Sequence, residues 1–196
     1  MNSFQVKIIP DMPHDNSSLC SDCPSAWVQR FAPLVPEGGR VLDLACGRGR
    51  HARLLAGLGY TVEAVDRDAD AIESLAGLER IHTRVADLEG GPWPYHTDVF
   101  DAVVVTNYLY RPQLPALLKL IAPQGVLIYE TFMVGNERFG KPSNPAFLLR
   151  PGELLELVRN RFGVVAFEQG EIQLPRQAMV QRICAVRATG SRLILP

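Results

Sequence analysis

The sequence predicts an α/β fold: a doubly wound, mostly parallel seven-stranded sheet with helices on both faces and an antiparallel hairpin at its C-terminal edge. Two observations predict it. Short apolar runs such as Val103, Val104 and Val105, continuous as in strands covered on both faces, alternate with stretches of helical period. After residue 162 that alternation gives way to two extended segments, "VVAFEQGEI" and "QRICAVRAT", joined through "QLPRQAMV".

The elements follow in order. Residues 1–24 are polar and punctuated by Pro10, Pro13 and Pro24, which predicts a loosely held arm ahead of a single domain over 25–196. In "PSAWVQRFAPLV", Trp27, Phe31, Leu34 and Val35 fall at helical spacing. "RVLDLAC" reads as the first strand. It is followed by the helix "GRHARLLAGLGY", with Ala52, Leu54, Leu55 and Leu58 inward and Gly59 closing it, and then by the strand "TVEAVD". Asp68 can cap the helix "ADAIESLAGL", before a third strand "IHTRVADL" and a fourth "FDAVVVTNY". "PQLPALLKLIAPQG" predicts a helix stopping at Pro123 and Gly125, and "VLIYETF" a fifth strand. Residues 133–150 lack a regular pattern, and a stretch that long in a small domain is usually functional. "PGELLELVRNRF" resumes as helix, with Pro151 suited to its first turn.

Composition narrows the function. A chain of 196 residues supports one core, and 47% apolar with 21% charged residues is the balance of an ordinary globular domain. A net charge of -1 gives no broad attraction for nucleic acid or anionic lipid, and no apolar run reaches the length of a signal peptide or membrane span. The expectation is a cytoplasmic protein with neither a membrane nor a nucleic-acid partner. Its oligomeric state is not legible. Cys20 and Cys23 are close together, but no second half-site completes a zinc set, so they read as turn thiols and no metal is expected.

The chemistry gathers at "DLACGRGRHA", residues 43–52, where the first strand exits. Gly47 and Gly49 permit a tight turn whose N–H groups approach a ligand, ahead of a helix. As spelled, the turn satisfies the dinucleotide fingerprint, with Asp66 nineteen positions after Gly47 as the ribose acid. Three features oppose a pyrophosphate. Asp43 lies on the first strand, four residues before Gly47, where a carboxylate suits an ammonium or sulfonium. Asp87 ends the third strand as a second acid that could accept from an adenine amine. The residues after Gly49 complete one sheet and leave no room for a separate hydride-acceptor domain.

"VLDLACGRGRHARLLA", "VEAVDRD", "RVADL", "FDAVVVTNYL" and "PQGVLIYETF" resemble the ordered motifs of class I S-adenosylmethionine-dependent methyltransferases over residues 25–132. "CGRGR" and "HTRVADL" are most similar to the tellurite-resistance type. The resemblance implies a Rossmann-like methyltransferase fold and S-adenosylmethionine as cofactor. It implies that Asp43, Cys46, Gly47 and Gly49 flank the methionine portion, that Arg50 lies near the carboxylate, and that Asp66 accepts from the ribose hydroxyls. It also implies that Arg67 packs beside the adenine, which Asp87 and Leu88 read. Ala45 replaces the glycine common at its position, which predicts an ordinary backbone conformation there.

Asn107 and Tyr108 are expected to touch cofactor or acceptor at the fourth strand's exit, and Tyr110, Arg111 and Glu130 to line an acceptor pocket. Cys46 is expected to be a packing residue, the charges of Glu137, Arg138 and Lys141 a solvated face, and His51 and His96 incidental. Trp27 and Arg30 either cover the methionine end or pack the core. Methyl transfer needs alignment more than acid or base, so no catalytic residue is named. The acceptor expected is a small molecule or chalcogen oxyanion. Two alternatives stand beside it: a short NAD(P)-dependent oxidoreductase, opposed by the missing Tyr-x-x-x-Lys-like pair, and a non-catalytic adenosyl-cofactor-binding protein. Protein or RNA methylation is a further variant.

Overall fold

In the computed structural model, which describes residues 23–187, the strands are β1 (Arg40–Leu44), β2 (Thr61–Asp66), β3 (Ile81–Val85), β4 (Phe100–Thr106), β5 (Ile121–Phe132), β6 (Phe162–Ile172) and β7 (Ala178–Arg187). The helices are α1 (Ala26–Phe31), α2 (Arg50–Gly57), α3 (Ala69–Glu73), α4 (Leu114–Lys119) and α5 (Glu153–Val158). Most of the predicted N-terminal arm, with Pro10, Pro13 and Cys20, lies outside the described residues. The sheet runs β3-β2-β1-β4-β5-β7-β6, parallel from β3 to β5, with β7 antiparallel to both β5 and β6. Winding proceeds outward from β1 to β3 and then returns to β4. The winding direction therefore switches between β1 and β4, and a crevice opens at their carboxyl ends.

β4 shows why its apolar run is continuous. Val103 and Val105 face one core with Leu42, Leu44 and Tyr129, while Ala102 and Val104 face the other with Val41, Val62 and Trp27. Asp68 caps α3 as predicted, its side chain accepting from the Ala71 N–H, and Gly59 ends the α2 segment with φ 94°.

The structure corrects several boundaries. In α2 Ala52 and Leu55 are buried as predicted, joined by His51, while Leu54 is half-buried and Leu58 at the C-cap is 46% exposed. α3 stops at Glu73, and β3 at Val85, so Asp87 belongs to the loop beyond the strand. α4 ends at Lys119, and Pro123 and Gly125 sit inside a register shift of β5 between Ile121 and Val126. Pro151 precedes α5, whose N-cap is Gly152 at φ 72°. Residues 133–150 are ordered by short 3-10 turns at Asn136–Arg138 and Pro145–Phe147 and by a bridge from Met133 to Leu149. Buried Asn136 ties that loop to β7 by accepting the Met179 N–H at 3.1 Å. Glu137, Arg138 and Lys141 lie on its exposed face.

Two glycines of the first turn do different work. A Cβ at Gly49 would lie 2.5 Å from both terminal carbons of buried Leu75, whereas one at Gly47 would meet open space; both have left-handed φ, 73° and 54°. Gly47→Ala should cost only the backbone strain, roughly 1–2 kcal/mol. Gly49→Ala should add about 1–3 kcal/mol of overpacking, read as a larger loss of unfolding free energy in urea.

Candidate active site

The turn after β1 is built by three residues in the left-handed region: Ala45 at φ 55°, Gly47 at φ 54° and Gly49 at φ 73°. The ordinary conformation expected at Ala45 is overturned; the alanine adopts the glycine-like geometry despite its Cβ. Such strain persists where the surroundings over-determine it. Here the Cys46 N–H donates to the Val65 carbonyl at 3.0 Å, and the Gly47 N–H donates to Asp66 Oδ2 at 2.8 Å. The exit of β1 is thereby fastened to the exit of β2. Asp66 Oδ1 accepts the Asp68 N–H at 3.0 Å, so each carboxylate oxygen holds one backbone donor and keeps a lone pair.

A cavity of about 480 Å³ opens over this junction. Ala45, Cys46, Gly47, Arg48 and Arg50 line it from the β1 turn, Asp66 and Arg67 from β2, Ala86, Asp87, Leu88 and Glu89 from beyond β3, and Thr106, Asn107 and Tyr108 from β4. Its formal charges are mixed. Three acids face three arginines, so the rim is not the acidic mouth that Asp43, Asp66 and Asp87 suggest in sequence. Asp87 is exposed, and N–H groups of Glu89 and Gly90 hold its carboxyl below the usual range. Leu88 is buried. The Tyr108 hydroxyl is buried without a hydrogen-bond partner among the described residues, and burial pushes its pKa up.

Two predicted residues do not reach the wall. Gly49 is covered by Leu75. Asp43 is 1% exposed behind the turn, with Oδ2 unpartnered among the described residues. Burial raises its pKa from 3.8 to about 7, against the lowering effect of the Ala52 N–H and of Arg50. Cys46 is buried and its thiol pKa is likewise raised by burial, which suits packing rather than nucleophilic attack.

Tyr110, Arg111 and Glu130 do not line the cavity. The Tyr110 hydroxyl donates to the Glu89 carbonyl at 3.1 Å and shores up the β3 loop. Arg111 grips both oxygens of Glu153 at 2.6 and 2.9 Å and donates to the carbonyls of Ala146 and Leu148, so its guanidinium is committed to fastening the 133–150 loop. Glu130 accepts from the Ser25 hydroxyl at 2.8 Å and pairs with Arg182 at 3.1 Å. Trp27 packs the core, donating from Nε1 to the Ile183 carbonyl at 3.2 Å.

His96 is exposed, but His51 is not incidental. It is 1% exposed, and burial followed by the charge of Arg50 pushes its pKa down to about 3. Its ring touches Ser25 and Thr106. Thr106, Glu89, Arg48 and Ala86 escaped the sequence reading although each adjoins a residue that it singled out; extending the strand-exit rule by one residue on either side finds them.

A model of the methyltransferase domain matches residues 14–168. The chain belongs to that family. It is a member of the S-adenosylmethionine-dependent methyltransferases. The crystal structure of TehB from Haemophilus influenzae superposes with a TM-score of 0.67 at 20% identity, over 82% of this chain and 61% of that one. The glycopeptide N-methyltransferase MtfA, solved with S-adenosyl-L-homocysteine, superposes with a TM-score of 0.58 at 19% identity, over 82% and 88% of the two chains. A ubiquinone biosynthesis O-methyltransferase of Caulobacter sp. is 36% identical over 106 residues, 48% of this chain and 41% of that protein. The chain thus spans about half the length, or less, of the curated relatives it matches. Among its described residues no cluster of His, Cys, Asp or Glu could hold a metal, and no helix is long and apolar enough to cross a membrane.

The raised pKa of Asp43 has a stability consequence. The folded state binds its proton more tightly than the unfolded state, so this contribution is complete below pH 3.8 and is lost as pH rises through about 7. Asp43→Asn, which keeps an acceptor for the Ala52 N–H, should abolish that loss. The melting temperature of the variant should gain on wild type steadily between pH 4 and pH 7 in thermal scans of ligand-free protein.

Proposed function

We propose that this protein transfers a methyl group from S-adenosylmethionine to a small molecule or a chalcogen oxyanion. The observation that supports the reading is Asp66: a carboxylate at the carboxyl end of β2, on the wall of the cavity, with one lone pair per oxygen still available. That arrangement suits a vicinal diol taken bidentately. The mixed charge of the walls suits a zwitterion, which carries a cation and a carboxylate together, better than it suits a diphosphate.

In this reading Asp66 holds the ribose, and Asp87 and Leu88 meet the adenine with Arg67 beside them. Ala45, Cys46 and Gly47 flank the methionine portion, with Arg50 near its carboxylate. Asp43 acts from behind the turn, its buried oxygen favouring a positive charge beyond the backbone. Gly49 contributes by letting α2 pack on Leu75. Asn107 and Tyr108 close the β4 side. Tyr110, Arg111 and Glu130 hold the surrounding loops in place.

S-adenosylmethionine, when bound, supplies a methyl group already activated by its sulfonium. The residues then have to align the acceptor and exclude water, which can lower the barrier by roughly 7–11 kcal/mol without an acid or base. No general base is assigned: His51 is neutral and its Nε2 lone pair is engaged.

Calorimetric titration tests the reading. Wild-type protein should bind S-adenosylhomocysteine and not NADH, and Asp66→Ala should weaken S-adenosylhomocysteine roughly 10- to 100-fold, the worth of one charge-assisted hydrogen bond. Tight NADH binding with no S-adenosylhomocysteine binding would end it. Binding without methyl transfer to any of a panel of radiolabel-assayed acceptors would favour a non-catalytic adenosyl-binding role.

A further inference from the structure

Behind the turn, the cap of α1 and the end of β4 converge on one imidazole of α2. The Ser25 N–H, at the N-cap of α1, lies 3.0 Å from His51 Nε2 in α2, and His51 Nδ1 lies 3.3 Å from Thr106 Oγ1 at the end of β4. The Ser25 hydroxyl accepts from the Trp27 N–H at 3.1 Å and donates to Glu130 Oε1 at 2.8 Å. Glu130 sits on β5 directly across from Thr106 in the sheet register, and Arg182 of β7 holds its other oxygen. Ser25 is therefore fixed by partners on two sides.

The direction of each hydrogen bond follows from the chemistry. A backbone N–H only donates, so Nε2 presents its lone pair and the neutral ring carries its proton on Nδ1. Nδ1–H then donates to Thr106 Oγ1. The hydroxyl's own hydrogen is left to donate elsewhere, and among the described residues the Thr106 side chain has no second hydrogen-bond partner. Thr106 is 9% exposed, and it is one of the residues that line the cavity wall.

We propose that Ser25 and His51 orient the Thr106 hydroxyl as a fixed donor into the cavity, where it recognises an anionic oxygen of the bound ligand. The inference rests on the adenosyl reading of that cavity. β4 lies next to β1, on the opposite side from β3 and the adenine-facing loop. At that end an anionic oxygen comes from the cofactor's amino-acid carboxylate or from an oxyanion acceptor. Thr106 touches the ligand; His51 is a positioning residue.

Ring nitrogen-15 NMR of the ligand-free protein tests the relay itself. His51 should be protonated at Nδ1 and bare at Nε2, and the other tautomer or an imidazolium would overturn the proposal whether or not any ligand binds. Calorimetry tests the recognition, using S-adenosylhomocysteine, 5′-methylthioadenosine, which lacks the carboxylate, and selenite added to protein loaded with S-adenosylhomocysteine. Thr106→Val should weaken S-adenosylhomocysteine or selenite about tenfold and spare methylthioadenosine, and Thr106→Ser should restore binding. Loss of S-adenosylhomocysteine affinity assigns the carboxylate, and loss of selenite affinity assigns the acceptor. His51→Phe should reproduce the loss in wild type and add nothing in Thr106→Val, a coupling that a packing role alone would not produce. Unchanged affinities in Thr106→Val would overturn the proposal. Failure of wild-type protein to bind S-adenosylhomocysteine would instead count against the adenosyl reading, leaving the NMR result to decide the relay.

Discussion

One hydrogen bond organises the candidate site: the N–H of Gly47 on Asp66. It closes a turn that three left-handed residues have bent out of β1, and it aims the acid at the end of β2 toward the space above. An acid free to rotate would be a solvated surface charge. Pinned by Gly47 on one oxygen and by Asp68 on the other, it presents its remaining lone pairs in fixed directions, which is the preorganisation a diol requires. Because Gly49 must pack on Leu75 for α2 to start where it does, the position of the acid depends on the core as well as on the turn.

The electrostatics divide between wall and interior. At the wall, Asp66, Asp87 and Glu89 are balanced by Arg48, Arg50 and Arg67, and the cavity bears a pattern of charge rather than a net sign. Behind the wall lie two ionisable groups that burial shifts toward neutrality, Asp43 upward and His51 downward. Neither is placed to exchange protons freely with solvent. Asp43 gains from a cation brought near the turn, while His51 transmits the orientation of the α1 cap to a hydroxyl on the cavity wall.

The fold was legible because its pattern is one of period: the unbroken Val103 to Val105 fits a strand covered on both faces, and Asp68 stands where a helix cap belongs. Boundaries were less so. Pro123 and Gly125 look like a helix stop, yet they sit in a bulge, because pairing of Ile121 with Phe100 starts the strand before them. Most of the cavity wall was found from strand exits and the glycine turn, including Asp66, Asp87 and Asn107. Arg111 and Glu130 were misplaced, since their long-range partners, Glu153 and Arg182, are invisible to local pattern. His51 was missed for a related reason: one histidine in a helix gives no sign that it is buried until Ser25 and Thr106 are brought to it. Ala45 shows the limit of residue preference, as tertiary hydrogen bonds hold an alanine where glycine is the easier choice.

The unsatisfied lone pairs of Asp66 carry the adenosyl reading of the cavity. A crystal structure of the protein with S-adenosylhomocysteine tests this most directly. It should show both ribose hydroxyls on the Asp66 carboxylate, with the Gly47 and Asp68 N–H contacts intact and the amino-acid end between the exits of β1 and β4. A ligand seated elsewhere, or one in the cavity with Asp66 touching only those two amides, would contradict it.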